Sequence, residues 1–319
     1  MKYKKKIEKV YRLKNSSLSR YGNLSLDKNE RVSIFEKKFF KSFLNKLSSE
    51  KISLYPEVST LYHSLAKHHK LKEGNFVLTN GIDGAIKSCF DLFVSKNDKV
   101  IILKPTFAMV DIYCDLSEAK KIEINYDRKL NLDLEKLIKS IKKDISLIII
   151  ANPNSPTGTI ISNENIKKII KKAHISKVPV LIDEAYYEFS NFSVLPLLKK
   201  FNNLIIARTF SKAFGLAGLR VGYIVTNYKI SKLFFNLKPM YEVNSVGILA
   251  CNLLLKDYSI LKKYIKETKK GEELLIKFLE RNKIGYIKTF ANFIYINFEK
   301  RINYIHTELL KNKIATKKG

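Results

Sequence analysis

Short, unbroken runs of aliphatic and β-branched residues recur along this 319-residue chain, each closed by polar, proline or glycine punctuation. Phe76-Val77-Leu78-Thr79, Val100-Ile101-Ile102-Leu103, Ser146 to Ala151, Val178 to Ile182, Leu204 to Ala207 and Val221 to Val225 are the clearest. Runs that are continuous rather than alternating describe strands buried on both faces, and hence a mostly parallel sheet flanked by helices on each side. Amphipathic stretches such as Asp83 to Val94 and Asn163 to Ala173 supply those helices. The pattern predicts an α/β domain. After about residue 230 it changes to lysine-rich amphipathic helices and one late strand, Phe293 to Phe298, as expected of a smaller α+β domain. The expected division is an N-terminal arm and substrate segment over 1–45, a large domain over 46–230 and a small C-terminal domain over 231–319.

Composition narrows the function classes. The formal net charge is +29, yet only 8 of the 59 basic residues are arginine, and the lysines run along the whole chain instead of forming one stripe. Nucleic-acid readers rely on the planar guanidinium fork and on aromatic platforms, so no specific nucleic-acid partner is expected. No apolar run reaches the ~20 residues of a spanning helix. The basic start, Met1 to Lys6, is not followed by an apolar segment, so no signal peptide is expected. Cys89, Cys114 and Cys251 lack metal-ligand spacing and read as buried small hydrophobes. His63, His68 and His69 share a predicted helix at a spacing poor for a common metal and read as solvated. The expectation is a cytoplasmic protein without a metal centre, and the lysines from Lys262 to Lys270 read as a solvated basic face.

Ligands of open α/β sheets collect beyond the carboxyl ends of the strands. Four polar segments fall at such ends: Thr79-Asn80-Gly81, Asn152 to Gly158, Asp183-Glu184-Ala185-Tyr186 and Arg208 to Lys212. Lys212 precedes a glycine-rich stretch, and a lysine at a sheet edge serves as a covalent amine when its surroundings lower its pKa. Asp183 ends a neighbouring strand, where a buried carboxylate needs a positive partner such as a protonated pyridine nitrogen. Tyr186 can bond a phenolate oxygen. Thr209, Ser211, Arg220 and the amides opening the helix at Asp83 can surround a phosphate. Together these describe a site for pyridoxal 5'-phosphate.

Ala151-Asn-Pro-Asn-Ser-Pro-Thr-Gly158, Asp183-Glu-Ala-Tyr186 and Arg208-Thr-Phe-Ser-Lys-Ala-Phe-Gly-Leu-Ala-Gly-Leu-Arg220 resemble the fold-type I aminotransferases of class I/II, in particular the histidinol-phosphate aminotransferase branch. Order and spacing agree over roughly residues 24 to 300. The resemblance implies that Lys212 binds the cofactor aldehyde and shuttles a proton, that Asp183 keeps the ring nitrogen protonated and that Tyr186 bonds the ring 3-oxygen. It implies Phe107 stacked on the ring, Ile82, Asp83 and Gly84 in the phosphate-binding turn with Thr209, Ser211 and Arg220, and Asn29 in a substrate segment. Tyr55, in Leu54-Tyr55-Pro56, would reach the phosphate of a neighbouring subunit in a homodimer. Ser155 stands where the family has an asparagine that donates to the 3-oxygen, and the shorter serine needs help from water or Asn154. The family continues past the equivalent of Gly319 and carries there an arginine for the substrate carboxylate, and no residue from Leu309 to Gly319 matches it. The small domain therefore reads as truncated relative to the family. The leading expectation is amino transfer between an amino acid and a 2-oxo acid or phosphorylated carbonyl compound. Decarboxylation of an O-phospho amino acid and a truncated, non-catalytic homologue are the alternatives.

Overall fold

A computed structural model of the chain describes residues 19–318 together with Glu8. The basic start over Met1 to Lys6 lies outside the described residues. The strands, in chain order, are β1 (Leu24–Ser25), β2 (Phe76–Asn80), β3 (Lys99–Lys104), β4 (Lys120–Asn125), β5 (Ile145–Ala151), β6 (Val180–Asp183), β7 (Leu204–Thr209), β8 (Val221–Thr226), β9 (Gly285–Ile287), β10 (Tyr295–Asn297) and β11 (Ile314–Ala315). Seven of them form the central sheet in the order β2-β8-β7-β6-β5-β3-β4. Neighbours from β4 through β7 pair in parallel. β8 is reversed against both β7 and β2, which leaves β2 running with the parallel set. The carboxyl ends of β2, β5, β6 and β7 therefore share one edge, and the four polar segments meet there.

Successive residues of each strand enter opposite cores. Leu204 and Ile206 of β7 join one apolar cluster, with Ile182, Ile148 and Tyr223, whereas Ile205 and Ala207 join the other, with Leu181, Ile149 and Ile224. This two-sided burial is the physical reason for the unbroken aliphatic runs. β4 escaped the sequence reading because it alternates. Lys120, Ile122 and Ile124 belong to an edge strand with one partner, whose exposed positions accept charge. The late strand is shorter than expected, covering only Tyr295–Asn297, and it pairs antiparallel with β9. β1 pairs in parallel with β11 and so ties the segment near Leu24 to the far end of the described chain.

One polar detail departs from expectation. His69 is not solvated: its Nε2 lies 2.9 Å from the Tyr223 hydroxyl and its Nδ1 3.4 Å from Arg208 Nη1. Burial and the adjacent Arg208 push its pKa down to about 2, so the ring is neutral. His63 does stand at the surface, 3.3 Å from Glu73. The three cysteines are buried free thiols, as expected. Among the described residues no helix is long and apolar enough to cross a membrane.

Beneath the shared edge lies a fully buried ion pair. Arg208 donates to Glu184 Oε2 from Nη2 at 2.7 Å and from Nε at 3.0 Å, and Nη2 also donates to Ser193 Oγ at 2.7 Å. The guanidinium carbon sits 3.6 Å from the Tyr187 ring centroid. Removing one partner of such a pair strands a buried charge, at a cost of about 3–5 kcal/mol. Arg208→Met is expected to lose that much stability in chemical denaturation. Adding Glu184→Gln to the same variant should recover part of the loss.

Candidate active site

The site is built from turns whose positions the sheet dictates. Asp183 ends β6, and its Oδ1 accepts the Ala185 amide at 2.9 Å. Burial pushes this carboxyl up to about 7. The Ala185 hydrogen bond opposes the shift, as does Lys212, while Asp83 and Glu184 add to it. Lys212 lies beyond the end of β7, the strand beside β6. Its Nζ donates to the Lys28 carbonyl at 2.7 Å and stands 5.5 Å from the Tyr186 ring centroid. Burial lowers the amine to about 8 against the opposing pull of Asp183 and Asp83. An acid and an amine thus influence one another from buried positions, each opposing the shift that burial imposes on the other.

Tyr186 is buried, and its hydroxyl accepts a hydrogen bond from Asn29 Nδ2 at 3.1 Å. Burial is the main cause that raises this phenol to about 12, opposed by hydrogen bonding from Asn29 and Ser155. Asn29, Ser155, Tyr186, Asp183 and Lys212 therefore converge although nearly two hundred positions separate the first from the last. Asn154 is not free to assist Ser155, which corrects the sequence reading. Its Nδ2 is spent on the Pro105 carbonyl at 3.0 Å and on Thr157 Oγ1 at 2.9 Å. That bond instead ties the loop carrying Phe107 to the loop carrying Ser155. Phe107 itself is half-buried at the start of the Ala108–Leu116 helix and packs against the second core.

Beside this group lies a cradle of anion donors. Ile82, Asp83 and Gly84 occupy the first turn of the Gly81–Phe93 helix, where free amides and the helix dipole favour negative charge. Arg220 reaches over them: its Nη1 lies 3.5 Å from Ser211 Oγ and its Nη2 3.6 Å from Asp83 Oδ2. The space is tight. A Cβ on Gly81, whose φ is +65°, would lie 2.8 Å from Arg220 Nη2, and one on Gly222 would lie 2.7 Å from the Gly81 carbonyl carbon. Only glycine lets β8 and the helix start approach so closely. Thr209 serves the turn, with its Oγ1 accepting the Ser211 amide at 3.1 Å. Tyr55 is exposed and stacks on Tyr241 at 4.2 Å, along a groove that Asn80 and Arg220 also line.

Other contributors went unseen in the sequence. Asn292 Nδ2 donates to the Asn29 carbonyl at 3.1 Å, and Phe293 meets the Tyr186 ring edge-on with centroids 5.3 Å apart. Glu242 accepts the Asn80 amide at 3.2 Å beside the cradle. Arg31 packs on Gly215, where a Cβ would come within 2.4 Å of its Cδ. None of these residues sits in a motif, and each arrives from a segment remote in sequence.

A family model described as aminotransferase class I and II matches residues 22–315. The chain belongs to this family. The histidinol-phosphate aminotransferase 1 of Carboxydothermus hydrogenoformans is 33% identical over 297 residues, which span 92% of this chain and 84% of that protein. The histidinol-phosphate aminotransferase of Thermoanaerobacter pseudethanolicus is 35% identical over 298 residues, 92% of this chain and 83% of the other. Among solved structures, the histidinol-phosphate aminotransferase of Clostridium acetobutylicum aligns with a TM-score of 0.80 at 29% identity, covering 92% and 88% of the two chains. The Sinorhizobium meliloti histidinol-phosphate aminotransferase, solved in complex with pyridoxal-5'-phosphate, aligns at 0.83 with 21% identity, covering 92% and 82%, a likeness of fold. The mostly parallel sheet and its helices are those of fold-type I aminotransferases, and this chain is a class I/II transaminase.

The acid–amine arrangement yields a direct expectation. Under competitive acylation read by peptide mass spectrometry, Lys212 should reach half-maximal reactivity near pH 8. Asp183→Asn should move that midpoint lower, because removing a negative charge favours the neutral amine. A wild-type midpoint near the ordinary lysine value would contradict the described geometry.

Proposed function

We propose that this transaminase uses pyridoxal 5'-phosphate and moves an amino group between histidinol phosphate and a 2-oxo acid. The cofactor reading rests on one observation above all: the buried Asp183 carboxyl, raised to about 7, and the Lys212 amine, lowered to about 8, lie beyond the ends of the paired strands β6 and β7, within electrostatic reach of each other and of Asp83 in the anion cradle. The residues present fit the group. A buried acid short of a cationic partner suits a pyridinium nitrogen, a depressed amine suits an aldehyde, and Arg220, Ser211 and helix amides suit a phosphate. The substrate reading is supported by the names of the relatives, which this chain matches over 83–84% of their length.

When bound, the cofactor supplies an aldehyde that captures amines and a ring that accepts the electron pair of a bond at the substrate Cα. Asp183 would keep the positive nitrogen protonated, since a buried carboxyl favours a cationic partner. Lys212 would take a proton from the substrate Cα and return it two bonds away, and an amine lowered to about 8 suits both halves of that task. Tyr186 and Ser155 would hold the 3-oxygen, with Asn29 fixing the tyrosine hydroxyl. Phe107 would lie against the ring. Ile82, Asp83, Gly84, Thr209, Ser211 and Arg220 would form the phosphate pocket, in which Thr209 would act by shaping the turn. Asn292 and Phe293 position Asn29 and Tyr186 and exclude water from the same side.

We further infer a homodimer in which Tyr55 serves the neighbouring site. Leu54, Tyr55 and Tyr241 expose apolar surface beside Arg220, and a cover by a second copy would bury it. The large domain over 46–230, the small domain over 231–319 and the arm over 1–45 are the working division. A cytoplasmic location is supported by three reduced, buried cysteines.

Borohydride reduction of the cofactor-saturated protein should place a pyridoxyl group on Lys212, located by peptide mass. A donor screen followed by absorbance should single out histidinol phosphate over ordinary amino acids by at least about tenfold in kcat/KM, or about 1.4 kcal/mol. Label on another lysine would refute the site. The dimer is tested by mixing Tyr55→Ala and Lys212→Ala chains, each inactive alone: one of the two sites in a hybrid receives both native residues, so exchange should restore about a quarter of wild-type activity per subunit in a random mixture and about half in purified hybrids. Absence of restoration in verified mixed dimers would exclude Tyr55 from the neighbour's site.

A further inference from the structure

Tyr187 and Glu188 directly follow the Asp183–Tyr186 turn, yet their side chains turn away from it. They line a separate cavity of about 830 Å³ between the 187–193 turn and the Ser259–Arg281 helix. Neither Lys212 nor Asp183, Asn29 or Arg220 borders it.

Its inner wall holds an acid without a partner. Glu188 is 6% exposed, and among the described residues neither carboxylate oxygen has a hydrogen-bond partner. Burial pushes this carboxyl up to about 8, opposed by its own backbone amide, Arg208 and the Tyr187 side chain, none of which closes a hydrogen bond of ordinary geometry with it. Arg208 directs its Nε and Nη2 at Glu184 and Ser193 and forms no hydrogen bond with Glu188 among the described residues. A buried acceptor left without a donor costs about 1–3 kcal/mol, more when charged, and a ligand that brings an N–H recovers it.

The outer wall has the opposite character. Lys262, Lys266, Lys269 and Lys270 line the cavity from one face of the helix, against a single acid, Glu273. Their spacing of four, three and one places them on neighbouring turns of the same stripe. Tyr258 and Ile265 lie in the same wall and offer apolar surface. The basic run that reads in the sequence as a solvated face is thus one side of a pocket whose other side is an unpaired acid.

We propose that this cavity is a second binding site, for an amino acid carrying an additional carboxylate, with the ammonium group on Glu188 and the carboxylates on the lysine stripe. A dicarboxylate without an ammonium leaves Glu188 unsatisfied, and a diamine meets four like charges at the mouth. The inference rests on geometry outside the transamination site and holds whatever the substrate there.

Hydrogen–deuterium exchange of the cofactor-loaded full chain tests it, with L-glutamate as the probe and glutarate as the control. L-Glutamate is expected to slow exchange saturably in peptides covering 259–273, and glutarate to need at least about tenfold higher concentration. Glu188→Gln, and independently Lys266→Ala with Lys269→Ala, should abolish that protection while the pyridoxyl adduct at Lys212 still forms. Protection confined to peptides around 29 and 209–220, equal protection by glutarate, or protection that survives in either variant would overturn the proposal. The lysine variant lies on an exposed face, so its outcome decides the question even if Glu188→Gln alters folding.

Discussion

The buried Arg208–Glu184 pair is the interaction on which the site depends. Glu184 follows Asp183 directly, and Arg208 lies four residues before Lys212, so the pair clamps the ends of β6 and β7 to one another. Alternation along a strand then sends Asp183 to the face opposite the clamp. A buried ion pair adds little net stability on its own, because desolvation offsets attraction. Its value here is geometric. With Nε and Nη2 held by Glu184 and Ser193, Nη1 beside His69 and the guanidinium over the Tyr187 ring, the clamp fixes how the two turns meet.

Electrostatics in the site follow from that packing. Asp183 and Lys212 are both poorly hydrated, so each loses some preference for its charged form, and each partly restores the other. Both groups are thereby drawn toward neutral pH, which under the proposed function suits Lys212 to accept a proton and give it back. Tyr186 differs: burial keeps its phenol protonated, so it remains a hydrogen-bond donor. Under the same proposal the helix amides and Arg220 of the anion cradle would hold negative charge apart from Lys212.

Much of this was legible in the sequence. The aliphatic runs gave six of the central strands, and the polar segments at their ends named Asp183, Lys212, Tyr186 and Ser211. β4 was missed because an edge strand carries a charged, alternating pattern that resembles a loop or a helix fragment. His69 was misjudged because nothing local to it announces Tyr223 and Arg208. Asn154 was expected to help Ser155, whereas a loop contact with Pro105 uses its amide.

What the chain alone determined is the chemistry available at each strand end, since residue type and strand burial are local properties that a linear pattern records. What only the tertiary structure decided is which distant groups complete each site. Asn292 bonds Asn29, Phe293 covers Tyr186, and Glu188 faces a stripe of lysines seventy or more positions away. Such pairings are set by how helices and turns close over the sheet, where burial and hydrogen-bond demand act between segments that share no pattern in sequence.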